Sequence, residues 1–119
     1  MKRLLNLRSI SAAASFLVVI FIWIMFAPIQ VGGQVFYIIV NGSSMETVFH
    51  KGDLVLLREA RNYSVGDIVA YSHPVIGPVF HRIIGEDASG FIMRGDNNSW
   101  NDSYKPKSDE IIGKFWVKL

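Results

Sequence analysis

Three short segments of this 119-residue chain carry side chains able to do chemistry on a peptide bond. The first is Asn41-Gly42-Ser43-Ser44-Met45, a turn with two hydroxyls. A serine nucleophile needs an exposed hydroxyl and nearby backbone N–H groups to hold an oxyanion. Gly42, two residues before Ser44, lets the chain turn tightly enough to supply them. A plain loop serine is the commoner meaning of such a turn, since glycine and serine are frequent in loops. The second segment is Val79-Phe80-His81-Arg82-Ile83-Ile84. Alternation along a strand puts Val79, His81 and Ile83 on one face and Phe80, Arg82 and Ile84 on the other. His81 is therefore either a satisfied core residue or a partly desolvated base able to work near neutrality. His50 and His73 sit in turns and read as solvated. The third segment is Arg94-Gly95-Asp96-Asn97-Asn98-Ser99-Trp100-Asn101-Asp102, whose two carboxylates lie six positions apart. It reads either as an Asx-rich turn or as the source of an acid that orients an imidazole. The Arg-Gly-Asp tripeptide inside it occurs too often by chance to carry weight.

Composition narrows what these residues can belong to. The chain has no cysteine, so disulfides, thiolate metal sites and cysteine nucleophiles are excluded. The formal charge of +2 comes without a basic run interleaved with aromatics, which argues against a nucleic-acid partner. No cofactor and no metal is implied. Charge is unevenly spread: none occurs between Ser9 and Met45, whereas Lys2, Arg3 and Arg8 precede the apolar run.

Two elements must position the chemistry. Ala12 to Ile29 is apolar all round and, as a helix, would span about 27 Å, close to the hydrocarbon thickness of a bilayer. The basic residues before it predict a cytoplasmic N-terminus and an extracytoplasmic remainder. A cleavable secretory signal ending at Val31-Gly32-Gly33 is the competing reading; the length of the run favours an uncleaved anchor. Residues 1–33 are thus expected to be a basic start and transmembrane anchor, and residues 34–119 an extracytoplasmic β-rich domain. Within the latter, Gln34–Val40, Asp53–Arg58, Asp67–Ser72, Val79–Gly85, Gly90–Arg94 and Ile111–Val117 read as short strands punctuated by glycine turns, as in a barrel or sandwich-like domain. The fold class is mainly β, an N-terminal transmembrane helix followed by a small all-β domain.

The order of anchor, strand, Ser44-Met45, strand, His81-Arg82, then Gly95-Asp96-Asn97 with a later Asp102 resembles the type I signal peptidases. The match is to the branch found in archaea, the endoplasmic reticulum and some bacteria, where histidine replaces the lysine base. The resemblance covers nearly the whole chain and rests on three ordered boxes together. It implies a small, signal-peptidase-like catalytic domain in which Ser44 is the nucleophile, His81 the base and Asp102 the acid of a triad. Asp96 would be a supporting acid holding the loop, and the oxyanion donors would be the N–H of Ser44 and groups around Gly42. Thr47 stands where the family usually has proline. The implied substrates are signal peptides of exported preproteins, bound as an extended strand with small residues before the cut. Shallow apolar pockets would receive them, lined by Phe36, Ile38 and Val40 or their opposite-face neighbours. The bilayer is a further implied partner, and accessory membrane subunits are left open. An inactive anchored or secreted β-domain that binds another protein is the alternative. Asn41-Gly42-Ser43 and Asn101-Asp102-Ser103 are glycan acceptor sequons overlapping the proposed site, which favours a prokaryotic plasma membrane over the endoplasmic reticulum.

Overall fold

The computed structural model describes residues 6–29 and 32–119. Lys2, Arg3 and Val31, which entered the orientation and cleavage arguments, lie outside the described residues. Contacts divide the chain into two compact units, Met1–Val35 and Phe36–Leu119.

The first unit is built on one helix, α1 (Leu7–Phe26). It begins five residues before the uninterrupted apolar run because Asn6 caps it: the Asn6 side chain accepts a hydrogen bond from the Ser9 N–H at 2.9 Å. It ends three residues earlier than the apolar run does. Pro28 forces the residue before it out of the helical region, and Ala27 is extended with ψ 134°. At about 1.5 Å per residue the helix is about 30 Å long. No residue of it is buried, and among the described residues it is the one helix long and apolar enough to cross a membrane.

The second unit is a single six-stranded sheet. Its strands are β1 (Val35–Ile39), β2 (Leu54–Arg58), β3 (Ile68–His73), β4 (Gly77–Asp87), β5 (Gly90–Arg94) and β6 (Ile111–Lys118), in the order β1-β2-β6-β3-β4-β5. All six expected strands are present. Their expected closure into a barrel or a two-sheet sandwich gives way to one mostly antiparallel sheet. The reason is visible in alternation. Consecutive residues of one strand enter different apolar clusters: Ala70 joins Val40, Met45, Phe49, Val55 and Leu57, while Val69 and Tyr71 join Ile83, Phe91, Met93 and Ile111. A sheet with an apolar cluster on each face needs loops to cover both, and the long connections supply them. The segment 40–53 brings Met45 and Phe49 onto the first face, where Phe49 meets Phe80 and Phe115 edge-on. The segment 95–110 brings Tyr104 onto the second, stacked on Tyr71.

Two hairpins set the register of the sheet's chemical end. β3 pairs antiparallel with β4, placing Val69 opposite His81 and Tyr71 opposite Val79. β4 pairs with β5, placing Arg82 opposite Arg94, with a shift in register between Ile83 and Gly85.

Candidate active site

Ser44 stands in the turn that follows β1. Just before it, Val40 is locked to the next strand's approach: its N–H donates to the Asp53 carbonyl at 2.9 Å and its carbonyl accepts from the Gly52 N–H at 2.8 Å. The chain then reverses at Gly42, whose φ of +146° is one that side chains rarely allow. One residue beyond Ser44, Met45 is 1 % exposed and buried in the first cluster. A buried residue directly after the serine fixes the serine's backbone while leaving its hydroxyl at the surface of a cleft.

His81 comes from the middle of β4. Its Nε2 lies 2.9 Å from Ser44 Oγ, and its Nδ1 lies 2.7 Å from Asp102 Oδ2. The three residues are thus drawn into one chain of hydrogen bonds from positions 37 and 21 residues apart. The imidazole and carboxylate are largely withdrawn from water, with side chains 12 % and 10 % exposed. An ionised carboxylate can only accept, so Nδ1 carries the proton and Nε2 is left to accept from the serine hydroxyl. Asp102 is held in place by its own N–H, which donates to the Met93 carbonyl at 2.7 Å. Burial works to raise the Asp102 pKa, but hydrogen bonds from His81 and Tyr71 outweigh it and the carboxyl ends below its ordinary value. It therefore remains an anion beside the ring.

Tyr71 escaped the sequence reading. Its hydroxyl donates to Asp102 Oδ2 at 2.7 Å, the same oxygen that His81 engages. A signal for it existed. In a hairpin that pairs 71 with 79 and 69 with 81, Tyr71 and His81 are diagonal neighbours on one face, and a buried tyrosine hydroxyl requires a partner.

Asp96 lies on a different partner. Arg82 clamps it with two parallel hydrogen bonds of 2.8 Å, from Nε and one terminal nitrogen, while the other terminal nitrogen reaches the Gly66 carbonyl at 2.9 Å. This guanidinium holds the Asp96 carboxyl below its ordinary range. The rest of the Gly95-Asp96-Asn97 box grips the serine turn. The Asn97 N–H donates to the Ser44 carbonyl at 2.8 Å, its side-chain amide donates to the Ser43 carbonyl at 3.0 Å, and the Asp96 N–H points at Met45 Sδ at 3.3 Å. Gly95 is required by proximity: a Cβ there would sit 2.6 Å from the Ser44 carbonyl oxygen and 2.9 Å from Ser44 Cβ. The three ordered boxes of the sequence are one interlocked object in space.

A cleft of about 330 Å³ opens over Ser44 and His81, and Gly42 lines it too. Its apolar wall includes Ile38, Ile39 and Val40. Phe36, named beside Ile38 and Val40 as a lining residue, packs with them in the first apolar cluster but does not line this cleft. Among the described residues, no group of three or more His, Cys, Asp or Glu side chains is arranged to hold a metal ion.

The sequence model of the family described as Peptidase S24-like matches residues 12–116. The chain belongs to that family. Individual relatives of this S24-like chain include the signal peptidase complex catalytic subunit SEC11 of Saccharomyces cerevisiae, in strains YJM789 and RM11-1a. Each is 33 % identical to it over 93 residues, covering 64 % of this chain and 54 % of the yeast protein. The chain thus spans about half the length of the curated relatives it matches. The similarity agrees with the resemblance to the endoplasmic-reticulum-type branch of the type I signal peptidases that the three boxes carry. In this S24-like domain a hydroxyl, an imidazole and a carboxylate stand in line beside an apolar cleft, an arrangement able to move a proton off the hydroxyl as it attacks a carbonyl.

Proposed function

We propose that this protein is a membrane-bound serine endopeptidase that removes signal peptides from exported preproteins, with Ser44, His81 and Asp102 as its catalytic residues. The observation that carries this reading is the unbroken line from Ser44 Oγ through His81 to Asp102, with contacts of 2.9 and 2.7 Å. Ser44 attacks the carbonyl at the end of the signal peptide while His81 Nε2 takes the hydroxyl proton. The tetrahedral oxyanion is held by the Ser44 N–H and by groups around Gly42. His81 then passes its proton to the departing amine, and water, activated by the same imidazole, releases the signal peptide from Ser44. Asp102 keeps Nδ1 protonated and offsets the charge of the imidazolium, and Asp96 supports the loop through Arg82. The substrate lies extended, and its small residues before the cut enter the shallow cleft walled by Ile38, Ile39 and Val40.

Location supports the same reading. A membrane-spanning α1 anchors the protease domain of the same chain to the membrane in which a signal peptide is presented, which raises the effective concentration of one for the other. Arg8, together with Lys2 and Arg3 in the sequence, favours a cytoplasmic N-terminus and an extracytoplasmic domain. Asn41 lines the cleft over Ser44, so a glycan at its sequon would fill the substrate's place; a prokaryotic plasma membrane fits this best. Accessory membrane subunits belong to this proposal as further partners, and cleavage by the purified chain in liposomes measured against cleavage in native membranes reads their contribution.

A labelled preprotein presented to membranes containing the parent chain is expected to be cut, and membranes containing Ser44→Ala are expected to leave it intact. Processing that survives in Ser44→Ala removes the proposal, and a folded parent that binds the preprotein without cutting it makes the chain a binding domain.

A further inference from the structure

We infer that Tyr71 is a positioning residue of the proton relay, acting on His81 through the carboxylate of Asp102. The argument starts from burial. Tyr71 is 1 % exposed, sits on β3 within the second apolar cluster and is fixed by stacking against Tyr104 at 6.2 Å between ring centres. Its hydroxyl therefore has little freedom to rotate away, and it delivers its proton to Asp102 Oδ2 at 2.7 Å. That oxygen already accepts from His81 Nδ1 at 2.7 Å. Two donors converging on one oxygen fix the carboxylate's rotation, and with it the direction in which the imidazole points at Ser44.

The second donor has an electrostatic consequence as well. A carboxylate sharing its charge with a phenol hydroxyl pulls less strongly on an imidazolium than one that does not. Without the Tyr71 hydroxyl, Asp102 keeps its full charge against the imidazolium formed during the reaction, and its rotation is no longer fixed from the second side. The other titratable groups around this cluster are Asp96, which interacts with His81, His73, which acts on Asp102, and Tyr104, which acts on Tyr71. All three remain in place when only the hydroxyl is removed. Burial together with the Asp102 hydrogen bond also raises the Tyr71 pKa well above that of an ordinary phenol, so the hydroxyl stays a donor throughout the working range of a histidine base.

This inference rests on the triad proposed above, and the test separates the two. Tyr71→Phe keeps the ring and removes the oxygen. In full-length protein reconstituted in liposomes with a labelled preprotein, Tyr71→Phe is expected to lower kcat about tenfold with KM within about twofold. In an Asp102→Asn background the same substitution is expected to cost less than about twofold, because the group it acts through is already disabled. Tenfold losses in both backgrounds overturn the inference, since a packing role gives that result. The Nδ1–H proton resonance of His81 provides a readout independent of any substrate: with one donor to Asp102 Oδ2 removed, the remaining Nδ1–H hydrogen bond is expected to strengthen and the resonance to move downfield in Tyr71→Phe at a fixed pH. If the parent proves unable to cut a preprotein, the functional reading fails while this spectrum still decides the role of Tyr71, an unmoved resonance ruling it out.

Discussion

Asp96 and Asp102 belong to one loop, six residues apart, and neighbouring residues of β4 each take one of them. Arg82 holds Asp96 in a two-pronged ion pair whose side chains are 33 % and 21 % exposed; His81 holds Asp102 where the side chains are 12 % and 10 % exposed. The more exposed pair joins two groups that both stay charged near neutral pH, so it has no proton to move there. The buried pair joins a carboxylate to a ring that can gain and lose a proton, and ends at a hydroxyl facing a cleft. Strand alternation is enough to send two carboxylates of one loop to different partners, Asp96 to an arginine and Asp102 to an imidazole.

The largest expected effect tests whether the working side is the Ser44 side at all. Ser44→Ala should lower preprotein cleavage by about 10⁵-fold or more, down to background, by analogy with other serine triads. Asp102→Asn should cost on the order of 10⁴-fold in kcat through the wrong ring tautomer, whereas Asp96→Asn should cost no more than about tenfold. Equal losses in folded variants would erase the distinction between the two acids. Gly95→Ala sharpens it from the other direction. A Cβ at that position must push the Ser44 carbonyl away, and a displacement near 1 Å at the nucleophile should cost about 10²-fold in kcat with a melting transition that remains cooperative.

Acid should reveal both carboxylates through stability. Asp96 and Asp102 titrate below their ordinary values in the folded protein, Asp96 through the Arg82 hydrogen bonds and Asp102 through His81 and Tyr71 acting against burial. Their contribution is therefore complete above the unfolded carboxylate pKa and is lost as the pH falls through the folded values. Urea midpoints measured from pH 7 down to pH 3 should fall, and Asp96→Asn should flatten the curve by about 1 kcal/mol or less, given the exposure of that pair. The smallest effect is expected at Ser43→Ala, within about threefold of the parent rate, since only the backbone carbonyl of Ser43 is engaged by Asn97.

Much of this arrangement was legible in the residues. Glycine turns marked the strands because their physical cause is local, and each of the six lies within two residues of its expected bounds. The pairing of Ser44, His81 and Asp102 was legible only through the ordered boxes, since contacts across 37 and 21 residues leave no periodic trace. What stayed hidden depended on partners elsewhere in the fold. Tyr71 reads as one more apolar strand residue until Asp102, 31 positions away, is laid against its hydroxyl. Phe36 and Ile38 share a face of β1 and both pack against the first cluster, yet only Ile38 also reaches the cleft, and nothing local in the sequence distinguishes the two. The start of α1 was hidden by weighting apolar length over Asn6, whose capping oxygen carries the helix back past Arg8.

The stitches from Asn97 to the Ser43 and Ser44 carbonyls have an implication for how such a domain can diversify. They bind Ser44 to the segment that also carries Asp102, so the relative placement of those two ends does not depend on the length of chain between them. Only β4 must arrive between them with its imidazole. Insertions or deletions in an exposed turn away from the knot, such as 59–62 between β2 and β3, would then alter the surface while leaving Ser44, His81 and Asp102 in register.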